Sequence, residues 1–186
     1  MSDRCFISVD IDDANIKSAI ISVQNTLLST GADLKPVEEA NIHITLRFLG
    51  EIPESQTAQV MEIIKSVEFK AFKLGFHGVG VFPGLNRPNV VWVGVVGDMP
   101  EMLAVYTTME KGLNKLGYEP ERRGFQPHLT ICRVRSGRNR VQLAESIRSI
   151  QDLDFGEMEV KSIRLKKSVL TRSGPIYSTV AESRSI

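Results

Sequence analysis

The chain has 186 residues, of which 42% are hydrophobic and 24% are charged, and its formal net charge is +1. This composition is too apolar for a disordered chain, and the length suits one large domain or two small lobes that share a core. Two cysteines, Cys5 and Cys132, are too few for a disulfide scaffold or a multi-thiolate zinc site. The sequence shows neither a secretion signal nor an apolar run long enough to span a membrane, so we expect a cytoplasmic protein.

Strand-like and helix-like patterns alternate along the chain. Runs typical of strands cover residues 4–10, 41–49, 69–82, 89–96, 127–134, 157–170 and 175–182. Apolar residues at helical spacing follow Asp13 up to Gly31 and follow Pro53 up to Val67, and recur over 100–116 and 139–150. Gly50 is expected to close the second strand, and a turn over 172–175 separates the last two. Because several strands follow one another through short turns, the pattern favours an α+β fold of mostly antiparallel sheet.

Charge is distributed unevenly along the chain. Residues 1–40 carry seven acidic and three basic side chains, whereas residues 121–140 carry six arginines and one acid. Residues 161–172 add five basic side chains and no acid. This asymmetry favours an anionic partner such as phosphate, although a solvated basic surface would give the same pattern. The arginines of the 121–140 segment are Arg122, Arg123, Arg133, Arg135, Arg138 and Arg140.

One short pattern occurs twice: NIHITL around His43 is echoed by QPHLTI around His128. Both copies read His, apolar, Thr, apolar. Because alternate side chains of a strand share a face, His43 and Thr45 project together, and so do His128 and Thr130. The repeat predicts two related lobes that face each other across a cleft.

Two imidazoles and two hydroxyls suit proton transfer at a phosphodiester. Histidine titrates near neutrality, so one ring can act as general base and the other as general acid. Threonine hydroxyls donate to phosphate oxygens, and a nearby arginine can neutralise the remaining charge. Other chemistries fit less well, since the histidines lack the carboxylate spacing of a zinc site and no G-x-S-x-G turn is present. The glycines of GFHGVGVFPG do not open a helix, as a nucleotide-binding loop would.

The segments HITLRFLG and PHLTICR resemble the paired H-x-T-x motifs of the 2H phosphoesterase superfamily. More closely, the chain resembles the RNA 2′,3′-cyclic phosphodiesterase family, whose members are also called 2′-5′ RNA ligases. The segments RCFISVD, FPGLNRPNVVWVGV and SVLTRSGPIYSTV resemble family segments in the same order, so the likeness covers nearly the whole chain. The resemblance implies one bilobal α+β domain over residues 1–186, with two pseudo-symmetric lobes of mostly antiparallel sheet, outer helices and an active cleft between the lobes.

The resemblance also implies a reaction: hydrolysis of a 2′,3′-cyclic phosphate at an RNA 3′ end to a 2′-phosphomonoester, with 2′-5′ ligation in some members. His128 would be the proton acceptor that activates water, and His43 the proton donor to the departing 3′ oxygen. Thr45, Thr130 and Arg133 would bind the phosphate. We expect no metal and no other cofactor, RNA with a cyclic phosphate end as partner, no membrane, no obligate protein partner, and a monomer.

Two arginines, Arg133 and Arg47, lie just after the motif threonines. Strict alternation places Arg133 on the face opposite His128, so a bulge or twist must redirect it if it binds phosphate. Arg47 shares the face of His43 but lies about 13 Å along the strand. There it would contact a neighbouring RNA phosphate or remain a solvated residue at the rim.

Other candidate residues receive smaller roles. His77 has no Thr partner and is expected to be structural or on the surface. Trp92 and Phe48 lie in apolar runs and are expected in the core, whereas Tyr177 could stack a base. Cys132 shares the His128 face by alternation and could line the cleft, but a small buried filler suits its residue type better.

Two other functions stay open on the sequence alone. The same cleft could hold RNA or a nucleotide without turnover, or it could open a small cyclic phosphate such as ADP-ribose 1″,2″-cyclic phosphate. The intact His and Thr pairs favour an enzyme over a binding module. The arginines that flank the second motif favour RNA over a small nucleotide.

Overall fold

A computed structural model describes residues 2–122, 124–172 and 174–186, and it confirms the expected α+β class. Arg123 of the arginine-rich segment and Ser173 of the expected final turn lie outside the described residues. The α-helices are α1 (Ala14–Leu28), α2 (Glu54–Lys65), α3 (Met99–Lys115) and α4 (Arg140–Ser149). The strands are β1 (Ser2–Asp10), β2 (Leu34–Pro36), β3 (His43–Pro53), β4 (Phe72–Phe82), β5 (Val90–Gly97), β6 (His128–Val134), β7 (Asp154–Val160), β8 (Ser162–Leu170) and β9 (Pro175–Arg184). Within the described ranges, no helix is both long enough and apolar enough to cross a lipid bilayer.

The strands form one antiparallel sheet whose pairing is weakest at its centre. Its order is β7-β4-β5-β6-β3-β1-β8-β9, and β2 pairs with the far end of β6. The central strands β3 and β6 carry the repeated motif, and the only residue pair between them in the described chain is Ile44 with Leu129. In the described residues, the half formed by β7, β4, β5, β6 and β2 therefore joins the half formed by β3, β1, β8 and β9 through one residue pair, and a cavity lined by both halves lies there.

The helices cover the face of the sheet that the apolar motif residues occupy. α1 contacts β6 and β7, and α2 contacts β1, β3, β8 and β9. α1 buries the stripe formed by Ile16, Ile20, Val23 and Leu27, as its spacing predicts, and Asp13 caps its N-terminus. Each fully buried side chain of this kind contributes about 1.5–3 kcal/mol. This packing leaves the opposite face of the central strands, where the histidines lie, accessible to solvent.

Three features differ from the sequence-based expectation. The run 157–170 is not one strand, because its two parts pair with different partners: β7 with β4, and β8 with β1. Gly50 does not close β3, since a register shift against β1 and a φ of +76° let the strand continue to Pro53. β2 has only three residues, too few to produce a detectable periodicity.

Candidate active site

The two His-x-Thr motifs meet at the centre of the sheet. His43 begins β3 and His128 begins β6, and the two strands are antiparallel, with Ile44 paired with Leu129. If the antiparallel register of Ile44 with Leu129 is extended by one residue in each direction, His43 lies opposite Thr130 and Thr45 lies opposite His128. All four side chains line one cavity of about 470 Å³. The structure therefore brings together the four residues that the repeated motif singles out.

Both imidazole rings are held by the main chain in the same way. Nδ1 of His43 lies 2.7 Å from the carbonyl oxygen of Asn41, and Nδ1 of His128 lies 2.8 Å from that of Gln126. Because a carbonyl oxygen can only accept, each Nδ1 carries a hydrogen and Nε2 is the nitrogen left for chemistry. The hydroxyl of Thr45 lies 3.0 Å from Nε2 of His43. Two equivalent contacts thus orient both rings in the same way and leave Nε2 as the nitrogen that can exchange a proton.

His43 is the more enclosed of the two histidines. Its ring centroid lies 4.9 Å from that of Phe6 and 5.6 Å from that of Tyr177. Burial lowers the pKa of His43 below its ordinary value, and the hydrogen bond to Asn41 and the nearby Asp10 carboxylate oppose this shift only in part. The surroundings of His43 therefore favour its neutral form.

His128 has one aromatic ring contact among the described residues, whereas His43 has two. The edge of its ring meets Phe82 at a centroid distance of 5.1 Å, and Phe82 packs against Trp92 at the same distance. Trp92 is half-buried behind Phe82, not fully in the core as the sequence suggests. The second motif therefore has an aromatic support on one side.

A bulge in β6 decides which residues after the motif reach the cleft. The register against β5 shifts by one residue between Thr130 and Cys132. Ile131 and Cys132 are consequently both buried, and Arg133 returns to the face of His128 and lines the cavity. Cys132 does not line the cleft; it is the buried filler that its residue type favours, and burial raises its pKa to about 12.

β3 has the same irregularity at the same place in its motif. Its register against β1 shifts between Thr45 and Arg47. Leu46 and Arg47 are both buried, and Phe48, which is 50% exposed, takes the position that Arg133 takes in β6. The sequence predicts Arg47 on the cleft face and Phe48 in the core, and both predictions are wrong. The bulge adds one residue to β3, so Arg47 points to the buried face and Phe48 to the exposed face.

Arg47 of β3 contacts α3 and the loop between α3 and β6. Its side chain is 8% exposed and lies 3.6 Å from Glu110 and 3.3 Å from Glu121. It also donates to the carbonyl oxygen of Glu119. Burial raises the pKa of Glu110, and the Arg47 guanidinium opposes that rise. Arg47 is therefore part of a structural ion pair and does not face the cavity.

The basic segments of the chain differ in whether acidic residues neutralise them. In the 161–172 segment, Arg164 lies 2.8 Å from Asp10 and Lys167 lies 2.5 Å from Asp3. The acidic N-terminal region thus compensates much of this segment. Arg133, by contrast, has no carboxylate partner among the described residues, so its charge is available beside the second motif.

Four further side chains were placed by the structure. His77 is exposed on β4, in agreement with the expected surface position. Tyr177 lines the cavity, as do Phe6 and Arg4 of β1, which sequence reasoning missed. The Arg4 guanidinium lies 5.2 Å from the ring centroid of Phe48. Alternation along RCFIS was the available signal, because it sets Arg4 and Phe6 on one face of a strand that pairs with β3.

A second cavity of about 580 Å³ adjoins the first and shares Thr45, Phe48 and His128 with it. Tyr106 and Phe125, stacked at a centroid distance of 4.2 Å, belong to its wall. In the described ranges, no three His, Cys, Asp or Glu side chains are grouped so as to hold a metal ion. The first cavity is lined by two imidazoles, two threonine hydroxyls and the guanidinium groups of Arg4 and Arg133. This set can bind a tetrahedral anion and move protons on either side of it.

Comparison with known proteins gives one consistent relationship. The chain matches the LigT-like phosphoesterase family over residues 9–92 and 95–177, and each segment contains one motif. An RNA 2′,3′-cyclic phosphodiesterase of Aeropyrum pernix is 42% identical over 160 residues, which are 86% of this chain and 91% of that protein. One of Archaeoglobus fulgidus is 40% identical over 174 residues, covering 94% of this chain and 96% of that protein. The crystal structure of E. coli LigT in apo form has the same fold, with a TM-score of 0.78 over 99% of this chain and 98% of that chain at 21% identity.

Proposed function

This chain belongs to the LigT-like phosphoesterase family, and from that membership and the paired motifs we propose that it opens the 2′,3′-cyclic phosphate at the 3′ end of RNA to give a 2′-phosphomonoester. The observation that carries the proposal is the pair of imidazoles whose Nδ1 atoms are held by the main chain at one cavity. We propose further that residues 1–186 act as one bilobal domain, as a cytoplasmic monomer, with no metal or other cofactor.

In the proposed reaction the histidines act on opposite sides of the phosphorus atom. Nε2 of His128 accepts a proton from the attacking water, and a new P–O bond forms. The bond between phosphorus and O3′ breaks, and protonated His43 gives its proton to O3′, so the phosphate stays on O2′. One proton is taken up and one is released, so exchange with solvent restores the starting pair. Each proton transfer contributes about 10²- to 10⁴-fold in rate.

The non-bridging oxygens are assigned to Thr45, Thr130 and Arg133. The two hydroxyls lie on neighbouring strands that run in opposite directions, so they approach the phosphate from two sides. Arg133 adds a cation without a carboxylate partner in the described chain. A hydrogen bond to a charged group contributes about 1.5–3 kcal/mol.

The lowered pKa of His43 is compatible with a role as the acid, because a bound phosphate favours the protonated ring. Burial favours neutral His43, whereas a proton donor must be protonated when the bond breaks. A phosphate anion between the two rings favours the imidazolium form, because opposite charges at short distance stabilise each other. In the proposed cycle, binding of the cyclic phosphate therefore supplies the electrostatic condition for His43 to act as the acid.

The proposal is tested with a short RNA that ends in a 2′,3′-cyclic phosphate, in excess EDTA. Wild type is compared with His43→Ala, His128→Ala and, as a matched control, His77→Ala, which removes an exposed histidine from β4. We expect wild type and the His77 variant to produce a 2′-phosphate, identified by NMR or mass spectrometry, and the other two variants to be inactive. An RNA with a 5′-hydroxyl end added to the same reaction reports 2′-5′ ligation.

Three results would contradict the proposal. Binding of RNA without turnover would make the protein a binding module. Turnover that EDTA abolishes would contradict the metal-independent scheme. A 3′-phosphate product would show that the other P–O bond breaks and that the assignment of the leaving oxygen is wrong.

A further inference from the structure

A third cavity, of about 330 Å³, lies at the end of β6 that is farther from His128. Its wall contains Arg87 from the β4–β5 loop, Arg135 just after β6 and Arg140 at the start of α4. No carboxylate is among the described residues that line it. We call this cavity the arginine groove.

Among the described residues, the three arginines of the groove have no ion-pair partner, in contrast to Arg47 and Arg164. Arg47 and Arg164 form ion pairs with carboxylates, and Arg138 donates from Nε to the carbonyl oxygen of Gly31 at 3.0 Å. No side-chain hydrogen bond or ion pair involves the three groove arginines in the ranges that the structure covers. Like charges that converge on one hollow repel each other, and a bound anion relieves that repulsion. Phosphate is the anion that the planar guanidinium fork matches best.

The backbone that carries two of these arginines is held by hydrogen bonds. The amide of Arg87 donates to the carbonyl oxygen of Gly84 at 3.1 Å, which fixes the β4–β5 loop. The amide of Arg135 donates to the carbonyl oxygen of Asp33 at 2.8 Å. The guanidinium groups therefore extend from a defined frame, although their ends are exposed.

The groove continues from the active-site cleft. Arg135 lies two residues beyond Arg133, which lines the cleft, and Asn89 lines both the groove and the aromatic second cavity. Arg135 lies seven positions after His128, which is about 23 Å along an extended chain. A cyclic mononucleotide is too short to occupy both places, whereas an RNA chain of several nucleotides can reach from one to the other.

We propose that the arginine groove binds a backbone phosphate of the RNA several nucleotides upstream of the cyclic end. The protein then selects an oligoribonucleotide over a small cyclic nucleotide. This inference rests on the proposed function, because the cyclic end must lie in the cleft for the upstream chain to reach the groove.

The test compares two substrates, 2′,3′-cyclic AMP and a ten-nucleotide RNA that ends in the same cyclic phosphate. The variants are the double substitution Arg135→Gln/Arg140→Gln and the matched control Arg148→Gln, which removes an exposed arginine from the other end of α4. We expect the double variant to raise KM for the RNA about tenfold or more. Its kcat for the RNA, both constants for 2′,3′-cyclic AMP, and all constants of the control should equal those of wild type.

A binding measurement separates this inference from the proposed function. Fluorescence anisotropy of a labelled ten-nucleotide RNA that ends in a 2′-phosphate is followed between 50 and 200 mM salt. Each single-stranded phosphate that the protein neutralises contributes about 0.7 to the slope of log K against log salt, so the double variant, which loses the one phosphate of the groove, should lose about 0.7. Thermal unfolding confirms that the variants fold.

The outcomes distinguish failure of the arginine groove from failure of the proposed hydrolysis. An unchanged slope and an unchanged KM in the double variant would overturn the groove and leave the proposed hydrolysis standing. Wild-type protein that hydrolyses neither substrate would overturn the proposed function, while the slope would still decide whether the groove binds RNA. A double variant that loses activity on 2′,3′-cyclic AMP as well would show that these arginines act on the cleft and would also overturn the groove.

Discussion

The strands β3 and β6 share a backbone design and differ in the side chains placed on it. Each begins with a histidine whose Nδ1 bonds a carbonyl two residues earlier, and each has a bulge after the threonine. The bulge turns Arg47 inward and Phe48 outward in β3, whereas in β6 it turns Cys132 inward and Arg133 outward. The backbone therefore determines which positions face the cleft, and the residue at each position determines what the site can bind.

The same comparison applies to the histidines themselves. His43 contacts the rings of Phe6 and Tyr177 and has a lowered pKa, whereas His128 contacts only the ring of Phe82 among the described aromatic residues. Two groups of the same type can take the roles of acid and base when their environments differ. If the two halves differ in this way, substitutions at equivalent positions of β3 and β6 should have unequal effects.

The largest expected effect is on kcat when either motif histidine is replaced, and a change of leaving group should distinguish the two variants. Alanine at His43 or at His128 should each reduce kcat by about 10²- to 10⁴-fold on RNA with a cyclic phosphate. A substrate with sulfur in place of O3′ should restore much of the rate to His43→Ala, because a thiolate leaves without protonation. It should not restore His128→Ala, and the opposite pattern in single-turnover kinetics would exchange the two roles.

A second prediction compares the two residues that the bulges turn inward. Arg47→Met should reduce the free energy of unfolding by roughly 3–5 kcal/mol, because Glu110 then stays buried without its cation. Cys132→Ala, at the equivalent position, should cost only about 1 kcal/mol, as for the loss of one buried atom.

Urea unfolding measures both values. The double variant Arg47→Met/Glu110→Gln serves as the control and should recover part of the loss. Equal costs for the two single variants would mean that the buried ion pair does not stabilise the β3 side of the sheet.

The residues that the bulges turn outward give the third prediction. Arg133→Gln should lower kcat/KM about 10- to 100-fold, because a charged hydrogen bond to phosphate is lost. Phe48→Leu, at the equivalent position, removes no charge and should lower kcat/KM less than about fivefold. Steady-state kinetics on one RNA substrate decides, and a larger loss for the Phe48 variant would contradict Arg133 as the phosphate ligand.

The smallest expected effect concerns pH and stability. Because the pKa of His43 is lower in the folded protein than its ordinary 6.5, the unfolded chain binds the proton more readily. Stability should therefore fall as the pH decreases through 6.5 toward the folded pKa, and it should be fully retained above 6.5. Urea unfolding at pH 7.5 and 5.5 measures the loss.

Two variants isolate the contribution of His43. His43→Gln should reduce the loss between the two pH values, because the titrating group is absent. Tyr177→Leu should reduce it as well, because water then reaches the ring. A loss that is the same in wild type and His43→Gln would show that other groups cause it.

The sequence predicts the class of fold and the four motif residues, because both depend on local patterns. Alternation along a strand is a property of adjacent residues, and the repeat marks His43, Thr45, His128 and Thr130 without knowledge of any partner. The same reasoning fails for a strand as short as β2, and it fails at residue 161, where the chain changes partner strands with little change in pattern.

The positions of Arg47, Phe48 and Arg133 could not be obtained in this way. A bulge is a mismatch between two paired strands, so one strand's pattern carries little trace of it. The adjacent apolar residues Ile131 and Cys132 were a faint signal, since strict alternation would place one of them on the polar face. The ion pair of Arg47 depends on Glu110, which is far along the chain and reaches it only through the tertiary fold.

The pair of Ile44 with Leu129, the only one between β3 and β6 in the part of the chain that the structure describes, also bears on how the protein folds. Its residues are widely separated in sequence, whereas most other neighbouring strands of the sheet have extensive ladders of their own. Closing so long a loop for one pair is entropically expensive and gains little until both halves are in place. We therefore expect the cleft between the two motifs to be assembled late in folding, so recovery of activity after dilution from denaturant should lag behind recovery of secondary structure.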